Sequence, residues 1–155
     1  MGDVLLRPIR PDDEPKYEAF FARITVDDLR MRFFTAAPDR SFRFFARMTQ
    51  IDYAREMAFV AATPGELLGV ARLVADPDYR NAEFAVIVRS DLKGKGLGSA
   101  LMQHLIAYAR AEGLEGMRGD VLLANTGMLK LCRHLGFALD VASQPDVVSV
   151  RISLQ

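Results

Sequence analysis

The stretch at residues 93–104, "KGKGLGSALMQH", decides how the rest of the chain is organised. Gly94, Gly96 and Gly98 alternate with Lys95 and Leu97, and a helical pattern follows without a pause. A helix N-terminus presents N–H groups with no partner inside the helix, at the positive end of the dipole, and so attracts anions. Glycines permit positive φ and let the backbone approach a bulky ligand closely. Lys93 and Lys95 add full charges. These are the makings of a phosphate cradle. The spacing is GxGxG, whereas a Walker loop needs GxxxxGK before Ser or Thr. A dinucleotide fingerprint needs GxGxxG at the start of a βαβ unit. A tight strand-to-helix turn with no ligand would also account for the glycines taken alone.

The segment 96–112 carries an apolar stripe of Leu97, Leu101, Leu105, Tyr108 and Ala109, and Gly113 stops it. Before the turn, "NAEFAVIVRS" (81–90) reads as a strand, apolar in its second half. Ahead of that, "EMAFVAATPGELLGVARLVADP" reads as two strands joined at "TPGE", a hairpin signal. The first half of the chain has a helical period instead. "VLLRPI" (4–9) is a strand, and Pro11 with Asp12, Asp13 and Glu14 opens a helix carrying Tyr17, Phe20, Phe21 and Ile24. "TVDDLRMRFF" (25–34) is a second helix, with Thr25 as N-cap and Asp28 placed as in a capping box, and 39–50 is a third helical piece. After the turn come a strand at 117–124, a helix at 126–135 closed by Gly136, a short strand at 137–142 and a last strand at 147–154. The expected class is α+β: a mixed, mostly antiparallel sheet of six to seven strands with about four helices, as one domain over residues 1–155.

With 155 residues the chain is long enough for one domain with a sizeable core. Its zero formal net charge gives no global electrostatic reason to bind nucleic acid or an anionic membrane. The N-terminus lacks a signal-peptide pattern, and Leu6 stands where a myristoylation motif needs Ser or Thr. One cysteine, Cys132, excludes an internal disulfide and a Cys-rich zinc site, and no HExxH spacing occurs. A cytoplasmic, metal-free domain is the expectation.

"VRSDLKGKGLGSALM" (88–102) and "ANTGMLKLCRHLGF" (124–137) together resemble the GNAT N-acetyltransferases, and the order of elements does so over nearly the whole chain. More narrowly, "RPIRPDDEP", "TQIDYAREMAFVA" and "GVARLVADPDYRNAEFAVIV" are similar to the GNAT domain of bacterial Pat-type protein lysine acetyltransferases. The resemblance implies a fold in which two parallel strands splay apart and acetyl-CoA lies between them. Its pantetheine arm would bond backbone groups of Val86, Ile87 and Val88, and its diphosphate would take N–H groups from Gly94, Lys95, Gly96, Leu97, Gly98 and Ser99. Lys93 stands where the family usually has Gln or Arg, so a planar brace is replaced by a point charge. Asn125 matches the family's Asn that holds the pantetheine amide or the reacting groups, and equally fits a cap for the helix at 126–135. Arg133 either reaches the 3′-phosphate of CoA or is solvated on its helix.

The implied reaction is acetyl transfer from acetyl-CoA to an amine, with no metal. A lysine ammonium has a pKa near 10.4, so roughly one in a thousand is nucleophilic near neutral pH and a base must take the proton. By resemblance that base is Glu83, the one acid of "AEFAVIV"; if the strand begins only at Phe84, Glu83 is simply solvated. A tyrosine that protonates the CoA thiolate in many members is replaced by Cys132, either a donor or a small buried helix residue. The Pat-like resemblance implies a protein lysine as acceptor, with an acyl-CoA synthetase as partner. A small-molecule amine and a non-catalytic acetyl-CoA sensor are the rival readings.

Overall fold

A computed structural model describes residues 3–35, 38–141 and 144–155. Met1 and Gly2, and the last residue of the short strand expected at 137–142, lie outside the described residues.

The first strand, β1 (Leu5–Pro8), leads through a 3-10 turn into α1 (Glu14–Ala22), α2 (Val26–Phe33) and α3 (Phe42–Thr49). Thr25 and Ser41 cap the last two, each accepting the N–H three residues on at 3.1 Å. Only half of the expected capping box forms at Thr25. The Asp28 carboxylate points elsewhere, and Ser90 Oγ accepts the Thr25 N–H at 2.8 Å. The hairpin of β2 (Glu56–Thr63) and β3 (Glu66–Ala75) turns at Pro64–Gly65, where Gly65 has φ 86°. Then follow β4 (Asn81–Val88), α4 (Leu97–Ala111), β5 (Gly116–Leu122), α5 (Thr126–His134), β6 (Ala138–Val141) and β7 (Val147–Ser153). Five α-helices are present among the described residues, three in the first half as the three helical pieces read from the sequence, and two after the glycine turn.

The seven strands form one sheet in the order β1-β2-β3-β4-β5-β7-β6, and every pairing is antiparallel except β4 with β5. Along β4, side chains alternate between two cores. Ala82, Phe84 and Val86 join the cluster under α4 and α5, with Leu101, Met102, Leu105, Met117 and Cys132. The opposite face is covered by α1–α3, whose Tyr17, Phe20, Phe21 and Phe45 stack at centroid distances of 5.2–6.2 Å. That rim is tied down by a buried ion pair, Arg7 with Asp13, at 2.7 Å and 2.8 Å.

The parallel pair is short. Asn81, Ala82 and Glu83 face Gly116, Met117 and Arg118, and no pairing follows, although both strands continue. At the point of separation the Phe84 ring lies against Gly119 so closely that a Cβ there would stand 2.7 Å from it. The chain parts two strands in mid-sheet, which leaves backbone groups unpaired and opens a gap through the layer.

Candidate active site

A cavity of about 560 Å³ occupies this gap and reaches both faces of the sheet. Its floor is the diverged part of β4, Phe84–Val88, with Asp120 and Val121 of β5 opposite. On the α4/α5 face the walls are Gly94, Gly96, Leu97, Gly98 and Ser99, with Asn125, Thr126 and Met128 across from them. On the other face the wall is α2, through Asp27, Asp28, Met31 and Arg32.

The glycine turn is built as its residue types require. Gly94 has φ 78° and Gly96 has φ 86°, both left-handed, and a Cβ at either would meet nothing. Backbone freedom, not space, is therefore what glycine supplies there. The first bond made inside α4 is from Ala100 N–H to the Gly96 carbonyl at 3.0 Å, so the N–H groups of Leu97, Gly98 and Ser99 precede the helix's own ladder. This cluster of donors opens on the cavity.

The strand floor is equally specific. Arg89 N–H donates to the Leu68 carbonyl at 2.9 Å, and backbone polar groups alternate sides along a strand. The backbone groups of Val86 and Val88 therefore turn toward the gap, while those of Ile87 turn toward β3. Ile87 lines the cavity with its side chain. Lys93 also lies on the wall, but its ammonium is held by Asp28 at 2.7 Å. Ser90 Oγ donates to the other Asp28 oxygen at 2.6 Å. Burial raises the Asp28 pKa, yet the bonds from Lys93 and Ser90 outweigh it and hold the carboxyl below its ordinary value. Lys93 thus acts first as a strut between the glycine turn and α2. Lys95 is exposed and off the cavity wall.

Asn125 occupies both of its expected places. Its Oδ1 accepts the Met128 N–H at 3.3 Å, capping α5, and the residue also lines the cavity. Glu83 lies inside β4, which begins at Asn81, so it does not precede the strand. Its side chain is exposed, and the burial cost expected for an acid in an apolar strand does not arise. It occupies the last paired register before the gap, beside Arg118, and shares a face with Ala85 of the cavity floor about 7 Å farther on. Cys132 is fully buried, and burial pushes its thiol up to about 11. It is off the cavity wall, so it is packing and not a proton donor to the site. Arg133 is exposed on α5.

Four charged wall residues escaped the sequence reading as site residues: Asp27, Asp28, Arg32 and Asp120. Asp28 and Arg32 are four apart on one helix, so their common face was legible, but nothing local says that this face overlies the gap.

The sequence profile of the acetyltransferase (GNAT) family matches residues 22–137. An acetyltransferase of Pseudomonas aeruginosa is 36% identical over 138 residues, which is 86% of this chain and 74% of that protein. The acetyltransferase Pat of Mycolicibacterium smegmatis is 30% identical over 84% of this chain. An L-methionine sulfoximine/L-methionine sulfone acetyltransferase of Pseudomonas aeruginosa is 40% identical over 82 residues, 48% of this chain. The chain spans 40% of the length of the Pat relative and 46% of the sulfoximine one. Among solved structures, the GNAT domain of Streptomyces lividans PAT superposes with a TM-score of 0.90 at 27% identity, over 98% of this chain and 91% of that one. The chain belongs to the GNAT acetyltransferase family. It is an acetyl-CoA-dependent N-acetyltransferase: the parted strands and their unpaired edge fit the thin, amide-bearing pantetheine arm of that co-substrate, and the glycine turn fits its charged diphosphate.

Proposed function

We propose that this chain moves the acetyl group of acetyl-CoA to a lysine ε-amine of a protein by direct attack, with Glu83 as general base. An acyl-CoA synthetase is the expected partner. The observation that carries the proposal is the parted β4–β5 pair, which opens toward α2 on the face where Glu83 stands at the last paired register. Acetyl-CoA supplies a thioester carbonyl: the amine nitrogen bonds to its carbon, the carbon–sulfur bond breaks, and the thiolate leaves.

The chain's own residues do the rest. Backbone groups of Val86 and Val88 align the pantetheine arm by strand-like bonds, and the amides of Gly94–Ser99 hold the diphosphate. Glu83 takes the amine proton, directly or through one water, as the nitrogen–carbon bond forms. Cys132 takes no part, so the departing thiolate draws its proton from solvent. The Pat relative and the superposition on the S. lividans domain support a protein acceptor. The sulfoximine relative supports a second reading, a free amino acid or its analogue.

The substitution Glu83→Gln tests the base. We expect acetyl-CoA affinity to stay unchanged by calorimetry while kcat falls about 100-fold or more. An unaltered kcat would remove Glu83 from the mechanism. Thiol release on mixing with a purified acyl-CoA synthetase, compared with a panel of free amines, separates the two acceptor classes. Binding of acetyl-CoA with no release to any acceptor would mark a sensor.

A further inference from the structure

Arg32 is the one arginine on the wall of the main cavity, and among the described residues it makes no ion pair. Its guanidinium lies over the ring of Phe33, with the carbon 4.4 Å from the ring centroid. No buried side-chain nitrogen or oxygen among the described residues lacks a partner, so the unbonded Arg32 nitrogens are the ones open to the cavity. Of the acids on the cavity wall, Asp27 is engaged with Arg30 at 3.1 Å and Asp28 with Lys93, and Asp120 stands across the gap on β5 with no ion pair to Arg32 among the described residues.

A second arginine lies behind the first. Arg72 of β3 is buried on the same face, beside Ala85 of β4, and donates to the Met48 carbonyl at 2.6 Å, with the Tyr17 hydroxyl also beside it. It too makes no ion pair among the described residues, and both arginines line a small notch that shares Ala85 and Ile87 with the main cavity. Burial and the nearby Arg72 charge push the Arg32 pKa down to about 10, with Tyr17 and Glu83 opposing. The guanidinium stays charged at neutral pH, and among the described residues no carboxylate lies within ion-pair distance of it. Its accessible nitrogens face the cavity with their donors unused, so an anion that enters the cavity can take them.

We propose that Arg32, backed by Arg72, receives a carboxylate carried by the acceptor, close to the amine that is acetylated. Asp120 lines the cavity on the same face, and Glu83 stands off the wall at the last paired register on that face, so an acceptor with both an ammonium and a carboxylate matches the charge pattern across the cleft. An L-methionine sulfone analogue has that pattern in its α-amine and α-carboxylate. A protein lysine has it only when an acidic side chain flanks it. The inference rests on the acetyl-transfer reading but not on Glu83 as base.

The experiment uses matched acceptors that differ only in carboxylate against carboxamide: L-methionine sulfone with its amide, and lysine peptides with Glu or Gln beside the lysine. The readout is thiol release at saturating acetyl-CoA. The wild type should favour the carboxylate member of at least one pair by about 10- to 100-fold in kcat/KM, chiefly through KM. Arg32→Gln should erase that ratio without changing acetyl-CoA affinity, and Arg32→Lys should keep part of it. Which pair responds identifies the source of the carboxylate. Acceptors that do not turn over are read by calorimetry on the CoA complex, where the carboxylate member must bind more tightly to the wild type than to Arg32→Gln. Equal kcat/KM or equal affinity within every wild-type pair would overturn the proposal, and so would an Arg32→Gln loss that is the same for both members. Calorimetry showing no acetyl-CoA affinity at all would instead defeat the acetyl-transfer reading.

Discussion

Asp13 shows how much one side chain can hold. It is fully buried and takes two bonds from Arg7, one from the Arg10 N–H at 2.9 Å and one from Lys16 at 3.3 Å. Burial alone would raise its pKa, but the bonds from Arg7 and the Arg10 backbone win and hold it below the ordinary 3.8. A carboxyl that titrates lower in the folded chain stabilises it fully above the unfolded value. That contribution fades as the pH falls below about 4 and through the folded value. Asp13→Asn should therefore cost about 2–4 kcal/mol at neutral pH, since it leaves the half-buried Arg7 guanidinium without its carboxylate. Urea unfolding at pH 7 and pH 3 checks both statements: the gap between wild type and variant should shrink in acid. At the same scale, the N-cap at Asn125 was legible from its residue type, and Glu83 was singled out through the resemblance its motif carries. Arg32 was not, because seven arginines stand between residues 23 and 55 and sequence spacing does not say which one faces a cavity.

Among the elements, the glycine turn joined to α4 is where local chemistry and ligand binding meet. Gly96 is left-handed with open space around its Cβ direction, whereas Gly98 is helical, and a Cβ there would make ordinary contact with Leu131 at 3.7 Å. The two substitutions should part company. Gly96→Ala should cost about 1–2 kcal/mol of folding stability through backbone strain. Gly98→Ala should leave stability unchanged or raise it by up to about 1 kcal/mol. Both should weaken acetyl-CoA binding, the first by disturbing the donors and the second by placing a methyl on the cavity wall. Denaturant curves alongside calorimetry would show it, and an unchanged affinity in Gly98→Ala would argue against close backbone approach. The turn was readable because αL geometry and an unladdered helix start are local demands. The division of the first half into α1, α2 and α3 was readable from caps, but their packing was not.

For the whole molecule, the cavity is a gap in the sheet between β4 and β5, so filling it should bind the two parts of the sheet together. A ligand present at about 100 times its Kd adds roughly 2.7 kcal/mol to the folded state. For a chain of this size that corresponds to a Tm rise of about 5–10 °C. Differential scanning fluorimetry with acetyl-CoA should record it, and a shift absent at saturating ligand would contradict binding in the gap. Among the described residues no helix is long and apolar enough to cross a membrane.

The amino-acid sequence by itself determined the elements, their order, the hairpin at Gly65 and the anion-seeking turn at Gly94–Ser99. Each of these follows from hydrophobic period, capping or the φ freedom of particular residues within a few positions. Only the tertiary structure decided that Lys93 is braced by Asp28, 65 residues away, that Ile87 turns its backbone from the gap, and that Arg32 and Arg72 line one notch with no ion pair among the described residues. Those outcomes depend on how helices α1–α3 lie across a sheet whose central strands have parted. Such packing is fixed by contacts between distant segments, which local patterns do not encode.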